Sequence, residues 1–346
     1  MSIKSHTTRF ERELQPVLPP ELERIIFEMA VEDITSNLPP TRCALNLQLT
    51  AKRVRYCSLS FPTKWENRIR PLLYRIFKHT NKRVDPFPNF NGSNGLVMNE
   101  IGPFIKHFLY GSSPLQNYES MANLIRHCPN IENMSVWCDA DTLSTLYPAI
   151  SSLQHLKRLS ARFGCLSRSQ VLSPFMHRLT HLEIVGNLGW DIIIELKNLT
   201  HISTSVVVYN PYDHEFMTDP LVHVEQLLNK ICSPDGCPNL RVVKIYSGSP
   251  LEFSDIRLVL LPLGLFSYEA SVWDWLNGAN ERVDSWVFAD RIVYARQMGY
   301  MAPDSSLVLD PFSFDHKKKL NTEGQAWWKG LHHPFVPPDK NQLNCL

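Results

Sequence analysis

One recurring pattern limits what this chain can fold into more than any other feature. Leu179-Thr180-His181-Leu182-Glu183-Ile184-Val185-Gly186-Asn187 sets apolar residues at its first, fourth and sixth positions and an asparagine at its ninth. Weaker copies with the same apolar spacing are Ile105-Phe108-Tyr110, Ile131-Met134-Val136, Leu156-Leu159-Ala161, Leu199-Ile202-Thr204 and Leu240-Val243-Ile245. Successive copies begin 26, 25, 23, 20 and 41 residues apart. The fourth and sixth positions alternate as one face of a β-strand does. Each of the shorter intervals has room for one strand and one helix. The longest holds one unit plus an insertion, Tyr209–Asp219, and Arg257–Leu261 supplies a further strand.

The segments between copies read as helices. Asn117–His127 carries Met121, Leu124 and Ile125 at helical spacing, and Leu143–Leu153 and Leu221–Ile231 are similar. Cys128-Pro129-Asn130-Ile131 and Cys237-Pro238-Asn239-Leu240 repeat one joint, in which proline ends the helix and cysteine fills a small buried site. Each unit has one apolar strand face and one apolar helix face, so only stacking buries them. The spacing fits the leucine-rich-repeat template. Over residues 101–300 it predicts an α/β fold, a curved solenoid with a parallel sheet on its concave side and helices outside. If the consensus positions are buried, their neighbours face the concave surface. Those are His107, Asn133, Ser135, Trp137, Arg158, Ser160, Arg162, His181, Glu183, His201, Ser203, Ser205, Lys244 and Tyr246. Cations, hydroxyls and two large aromatics make a protein-recognition face, with Trp137 and Tyr246 as its anchors.

Ser271–Leu276 and Val283–Met298 read as a closing helical pair. Trp286, Phe288, Ile292, Val293 and Met298 are available to cover the last strand, because a solenoid's final apolar surface must be capped. Residues 301–346 are expected to be a loosely ordered tail, part of which docks through Trp327 and Trp328.

Composition narrows the chemistry. The chain is 44% hydrophobic and 20% charged, with a net charge of +1, so no global field draws it to nucleic acid. The first residues, MSIKSHTTRFEREL, lack the apolar run of a secretory signal. No apolar stretch approaches the roughly 18 residues of a membrane helix. We therefore expect cytoplasm or nucleus and no membrane. The eight cysteines show no disulfide framework and no metal-ligand spacing, so neither metal nor cofactor is expected. Residues 42–78 hold nine Lys/Arg against the single acid Glu66, which reads as a solvated helix face rather than a nucleic-acid stripe.

The first eighty residues differ in kind. Pro19-Pro20 opens a helix, Glu21 and Glu23 sit at the positive end of its dipole, and Leu22, Ile25, Ile26 and Met29 form one apolar stripe. Pro39-Pro40 precedes a second periodic stretch, Cys43–Arg55, and a third helix is predicted from about Lys64 to Phe77. Three such helices bury little core alone, which points to a module completed by a partner. Asp85–Gly95 is turn chemistry and marks a boundary. The organisation read from the sequence is a flexible N-terminus (1–15), a three-helix module (16–80), a linker (81–100), the repeat domain with its helical cap (101–300) and the tail (301–346).

Leu18-Pro19-Pro20-Glu21-Leu22 with Ile25 and Phe27, then Leu49-Thr50-Ala51-Lys52-Arg53-Val54-Arg55, and finally Arg70-Pro71-Leu72-Leu73-Tyr74-Arg75, together resemble the F-box pattern in its fungal F-box-like form. Ala51 and Val54 stand where the wider family prefers Cys and Trp. The resemblance implies that Leu18, Pro19, Pro20, Leu22, Ile25, Ile26, Leu49 and Val54 dock the small adaptor subunit of a cullin–RING ubiquitin ligase. It also implies that the repeat domain captures a target protein through His107, Asn133, Trp137, Arg158, Arg162, His181, Glu183, His201, Lys244 and Tyr246. The expected function is that of an SCF-type substrate adaptor without chemistry of its own. The alternative is an interaction module that no longer docks the ligase. An enzyme using Cys165 or Ser167 finds no GxSxG, carboxylate pair or glycine-rich phosphate loop in support.

Overall fold

The computed structural model describes residues 71, 74–80, 98–111, 118–138, 140–163, 166–185, 190–205, 220–303, 308–311 and 315–331. The segment 1–15, expected to be flexible, the residues Leu18 to Val54, expected to dock a ligase, and the expected insertion Tyr209–Asp219 lie outside the described residues. The chain divides into two units, residues 1–75 and 76–346, and the sheet belongs to the second.

Eight strands form one sheet: β1 (Ile76–Thr80), β2 (His107–Gly111), β3 (Asn133–Val136), β4 (Arg158–Arg162), β5 (His181–Val185), β6 (His201–Ser205), β7 (Val242–Ser247) and β8 (Leu258–Pro262). They lie in sequence order and every pair is parallel. Phe108, Met134, Leu159, Leu182, Ile202, Val243 and Leu258 occupy one cross-strand row. All but Leu258 are the fourth positions of the sequence pattern, so the predicted parallel sheet and its register are observed.

Helices α1 (Met98–Ile101), α2 (Tyr118–Arg126), α3 (Ala140–Ser151), α4 (Arg168–Val171), α5 (Trp190–Ile193) and α6 (Pro220–Ile231) connect the strands. Leu124, Ile125, Leu146, Ile150, Leu227 and Leu228 from these helices bury against Met134, Leu159, Leu182, Ile184, Ile202 and Ile245 in one continuous core. Complete burial of a leucine such as Leu182 contributes about 1.5–3 kcal/mol. Cys128 and Cys237 are buried free thiols in that core, and burial pushes the Cys128 thiol up to about 12.

From β3 to β7 each strand is tied at its start to the one before it by the same bond. The backbone N–H groups of Glu132, Lys157, Thr180, Thr200 and Arg241 donate to the carbonyls of Lys106, Glu132, Lys157, Thr180 and Thr200 at 2.8–2.9 Å. An asparagine just before the first apolar position adds a second tie. Asn130, Asn198 and Asn239 Nδ2 donate to the carbonyls of Pro103, His177 and Lys197 at 2.7, 2.6 and 2.8 Å.

The structure departs from the sequence reading in three places. Ile76–Thr80 is a strand, not the end of a helix, because sheet pairing buries Phe77 in a stack on Phe108 at 4.6 Å. The tail docks through Trp327 and Trp328 as expected, and the departure is that its described residues 315–331 form helices rather than a loosely ordered segment. Its helices α9 (Asp315–Lys318) and α10 (Thr322–Lys329) bring Trp328 against Phe288, Met301 bridges Leu320, and Val308 bridges Leu260. The third departure, the placement of the closing helices, decides what the sheet can bind.

Candidate functional site

Strand alternation gives the side-chain directions correctly. His107, Asn133, Arg158, His181 and His201 align across β2–β6, and Ser135, Ser160, Glu183, Ser203 and Lys244 form the next row, both on the sheet face away from the large core. The expected exposure of that face does not hold. Helices α7 (Tyr268–Ala279) and α8 (Ser285–Gln297) lie on it instead of capping the edge of β8. Ser135, Ser160, His201, Ser203, Ser205, Lys244 and Tyr246 are buried. His107, Asn133, Trp137, Arg158, His181 and Glu183 are half-buried, and Arg162 alone is exposed. Of the expected cap residues Trp286, Phe288, Ile292 and Val293 are buried, and Met298 is exposed.

The cover is apolar at its two ends. Val272, Trp275 and Ala279 of α7 bury Leu109, beside Ile76 and Trp137. Gly111 admits Tyr268, whose hydroxyl donates to the Gly111 carbonyl; a Cβ there would lie 2.7 Å from the phenol oxygen. At the other end Phe288, Ala289, Ile292 and Val293 of α8 bury Val242, Tyr246, Val259 and Leu261.

Between these ends the contact is ionic. Lys244, with no exposed surface, donates to Ser285 Oγ at 2.7 Å, approaches Glu183 Oε1 at 3.3 Å and sits 4.0 Å from the Trp286 ring centre. Burial disfavours its charge, but the oxygens of Tyr246, Glu183 and Asp274 outweigh that and hold the ammonium above its ordinary pKa. Glu183 also accepts from Ser160 at 2.7 Å and Ser203 at 3.2 Å, and Ser160 accepts from Trp137 Nε1 at 2.8 Å. Asp274 of α7 accepts from the Ser285 backbone N–H at 2.6 Å and from its hydroxyl at 2.5 Å. Burial raises Asp274 to about 7 against the pull of Lys244, and burial likewise raises Asp284. Asp284 caps α8 by accepting from Val287 N–H at 2.8 Å and lies 3.5 Å from Arg158.

The paired Thr-His steps of β5 and β6 build the same geometry twice. Thr200 donates to the Thr180 carbonyl at 3.0 Å, so it accepts from His201 Nδ1 at 2.7 Å, and His201 Nε2 faces Asp290 of α8 at 3.1 Å. Thr180 relates to His181 in the same way at 2.9 Å. The two imidazoles stack at 3.9 Å with Trp286 edge-on to both. Burial, then the neighbouring His201, Arg158 and Lys244, lower the pKa of His181 to about 2, so the His181 ring is neutral.

Ser285, Lys244 and Asp274 superficially form a nucleophile constellation. The Lys244 ammonium, however, has no lone pair to take a proton from Ser285, whose hydroxyl already donates to Asp274. The arrangement holds two helices on a sheet. Among the described residues no group of three or more His, Cys, Asp or Glu is placed to hold a metal ion. No helix among them is long and apolar enough to cross a membrane. Comparison with protein-family models and with curated proteins finds no match to this chain.

Proposed function

We propose that the chain is a substrate adaptor of a cullin–RING ubiquitin ligase, with an F-box-like module at its N-terminus and a leucine-rich-repeat-like solenoid that carries target recognition. The observation that carries the reading is the unbroken sequence order of eight parallel strands, with the same backbone tie recurring from β2 to β7. A repeat array is built this way, whereas a doubly wound nucleotide-binding sheet reverses order at the point where its ligand sits. The repeat region supports a scaffold for binding, and the F-box-like sequence motif from Leu18 to Val54 supplies the ligase end. Holding target and ligase on one chain raises their effective concentration, which suffices for function without chemistry. The cytoplasm or nucleus is the compartment this role requires.

A pull-down of the purified full chain with the small adaptor subunit tests the ligase end. Retention should fall at least tenfold in a Leu18→Asp/Ile25→Asp double variant. No retention of the unaltered chain, or equal retention of the variant, leaves the interaction module without ligase docking as the surviving alternative.

A further inference from the structure

Under the closing helices a crevice of about 30 Å³ lies between the inner faces of β3, β4 and β5 and the helices α7 and α8. Ser135 of β3 and Trp275 of α7 both line it. Ser135 has no exposed surface, and Trp275 is 8% exposed. Yet Ser135 Oγ and Trp275 Nε1 have no hydrogen-bond partner among the protein's own groups. Their polar neighbours are already committed. Ser160 accepts from Trp137 and donates to Glu183, Ser285 donates to Asp274, and His181 Nδ1 is turned to Thr180. A buried hydroxyl or indole N–H without a partner costs free energy, so such groups in folded proteins are bonded to protein or to ordered water.

Size and chemistry select the occupant. One water needs about 10–15 Å³ of such space, so the crevice has room for about two and for nothing larger. An anion would meet the carboxyl groups of Glu183, Asp274 and Asp284 in its wall. A cation would meet Arg158 and the indole N–H of Trp275, which can only donate. Water both donates and accepts, so it serves a hydroxyl and an indole N–H alike. We propose that this crevice is a water site, in which ordered water accepts from Trp275 Nε1, bonds Ser135 Oγ and so bridges β3 to α7. Ser135 stands beside Ser160 in the row that continues through Glu183, Ser203 and Lys244. The water therefore extends the polar centre of the cover by one strand, in place of a side chain long enough to reach the helix.

The test is NMR cross-relaxation between water and the indole protons of the full chain, deuterated and nitrogen-labelled at its tryptophans. The eight tryptophans give eight indole signals, and Trp275→Phe identifies that of Trp275. A cross-peak from water to the Trp275 indole proton is expected, with NOE and ROE of opposite sign, as bound water gives. Ser135→Val, which removes the hydroxyl and narrows the crevice, should weaken the cross-peak at least tenfold. Ser135→Ala, which adds no bulk, should weaken it at least twofold and keeps the test open should valine perturb folding. Circular dichroism of both variants should match the unaltered chain. No cross-peak in the unaltered chain overturns the proposal in favour of a dry crevice. NOE and ROE of the same sign, the mark of proton exchange with bulk solvent, overturn it in favour of an open one. A cross-peak of equal strength in the unaltered chain and both variants overturns the bridge to β3.

Discussion

The two faces of the sheet are both covered by helices, yet they are held by different physics. The outer face meets α2, α3 and α6 through one continuous apolar core. The inner face meets α7 and α8 through apolar contacts at its ends and a hydrogen-bonded ionic network at its centre. Apolar packing is tolerant of partners and proportional to area. A buried ion pair contributes little net stability when intact but is destabilising when broken, because the remaining charge stays buried. The outer face therefore supplies stability, and the inner face fixes where the closing helices sit.

Substitutions at matched positions can break that contrast. Lys244→Ala should destabilise the chain by about 3 kcal/mol in urea unfolding, since it empties a fully buried site and leaves the half-buried Glu183 without its cation. Lys244→Met with Glu183→Gln should recover most of the loss; no recovery would mean that the network is not what makes Lys244 matter. Leu182→Ala on the outer face should cost about 2–5 kcal/mol with no comparable rescue, because the loss is a cavity.

The pH dependence sharpens the same comparison. Neutral His181 takes up a proton only near pH 2 when folded, but near 6.5 when unfolded, so its contribution is present above about 6.5 and is lost as pH falls. Asp274 keeps its proton up to about 7 when folded, against 3.8, so its contribution is present at acid pH and is lost as pH rises between those values. The two oppose each other from about pH 4 to 6.5. Asp274→Asn removes one, so the stability of the variant relative to the parent should climb with pH by up to about 1.4 kcal/mol per unit. A relative stability that is flat or falls with pH would contradict the burial of Asp274. The smallest effect belongs to the asparagine ties: Asn198→Ala should cost about 1 kcal/mol, measured as a shift in the urea midpoint, by releasing the His177 carbonyl.

Much of this was legible in the residues. The 1-4-6 spacing gives the strands, their parallel pairing and their register, because a period-two pattern repeated at near-constant intervals admits few alternatives. β1 was hidden because Ile76–Thr80 follows a helix-like stretch and lies 31 residues before its partner row, longer than the 20–26-residue intervals, with Phe77 paired to Phe108. The closed inner face was written in the chain as well. Val242, Tyr246, Val259 and Leu261 fill the positions that should have been polar in a half-exposed strand, and Leu258–Leu261 is apolar without a break, the pattern of a strand buried on both faces. Leu109 between Phe108 and Tyr110 says the same of β2. At β4–β6 the inward residues are polar, and there nothing local separates a solvated face from a buried network. That distinction needs Lys244, Ser285 and Asp274 brought together from separate segments.

Peptide-resolved thiol labelling of Ser203→Cys and Arg162→Cys variants tests the closed inner face most directly. Both positions lie on the sheet face that carries α7 and α8, Ser203 beneath the cover and Arg162 outside it. The account predicts rapid modification at position 162 and protection of at least a hundredfold at 203, lost only on unfolding. Equal, rapid modification at both positions in the folded chain would show that the face is open and that α7 and α8 do not cover it.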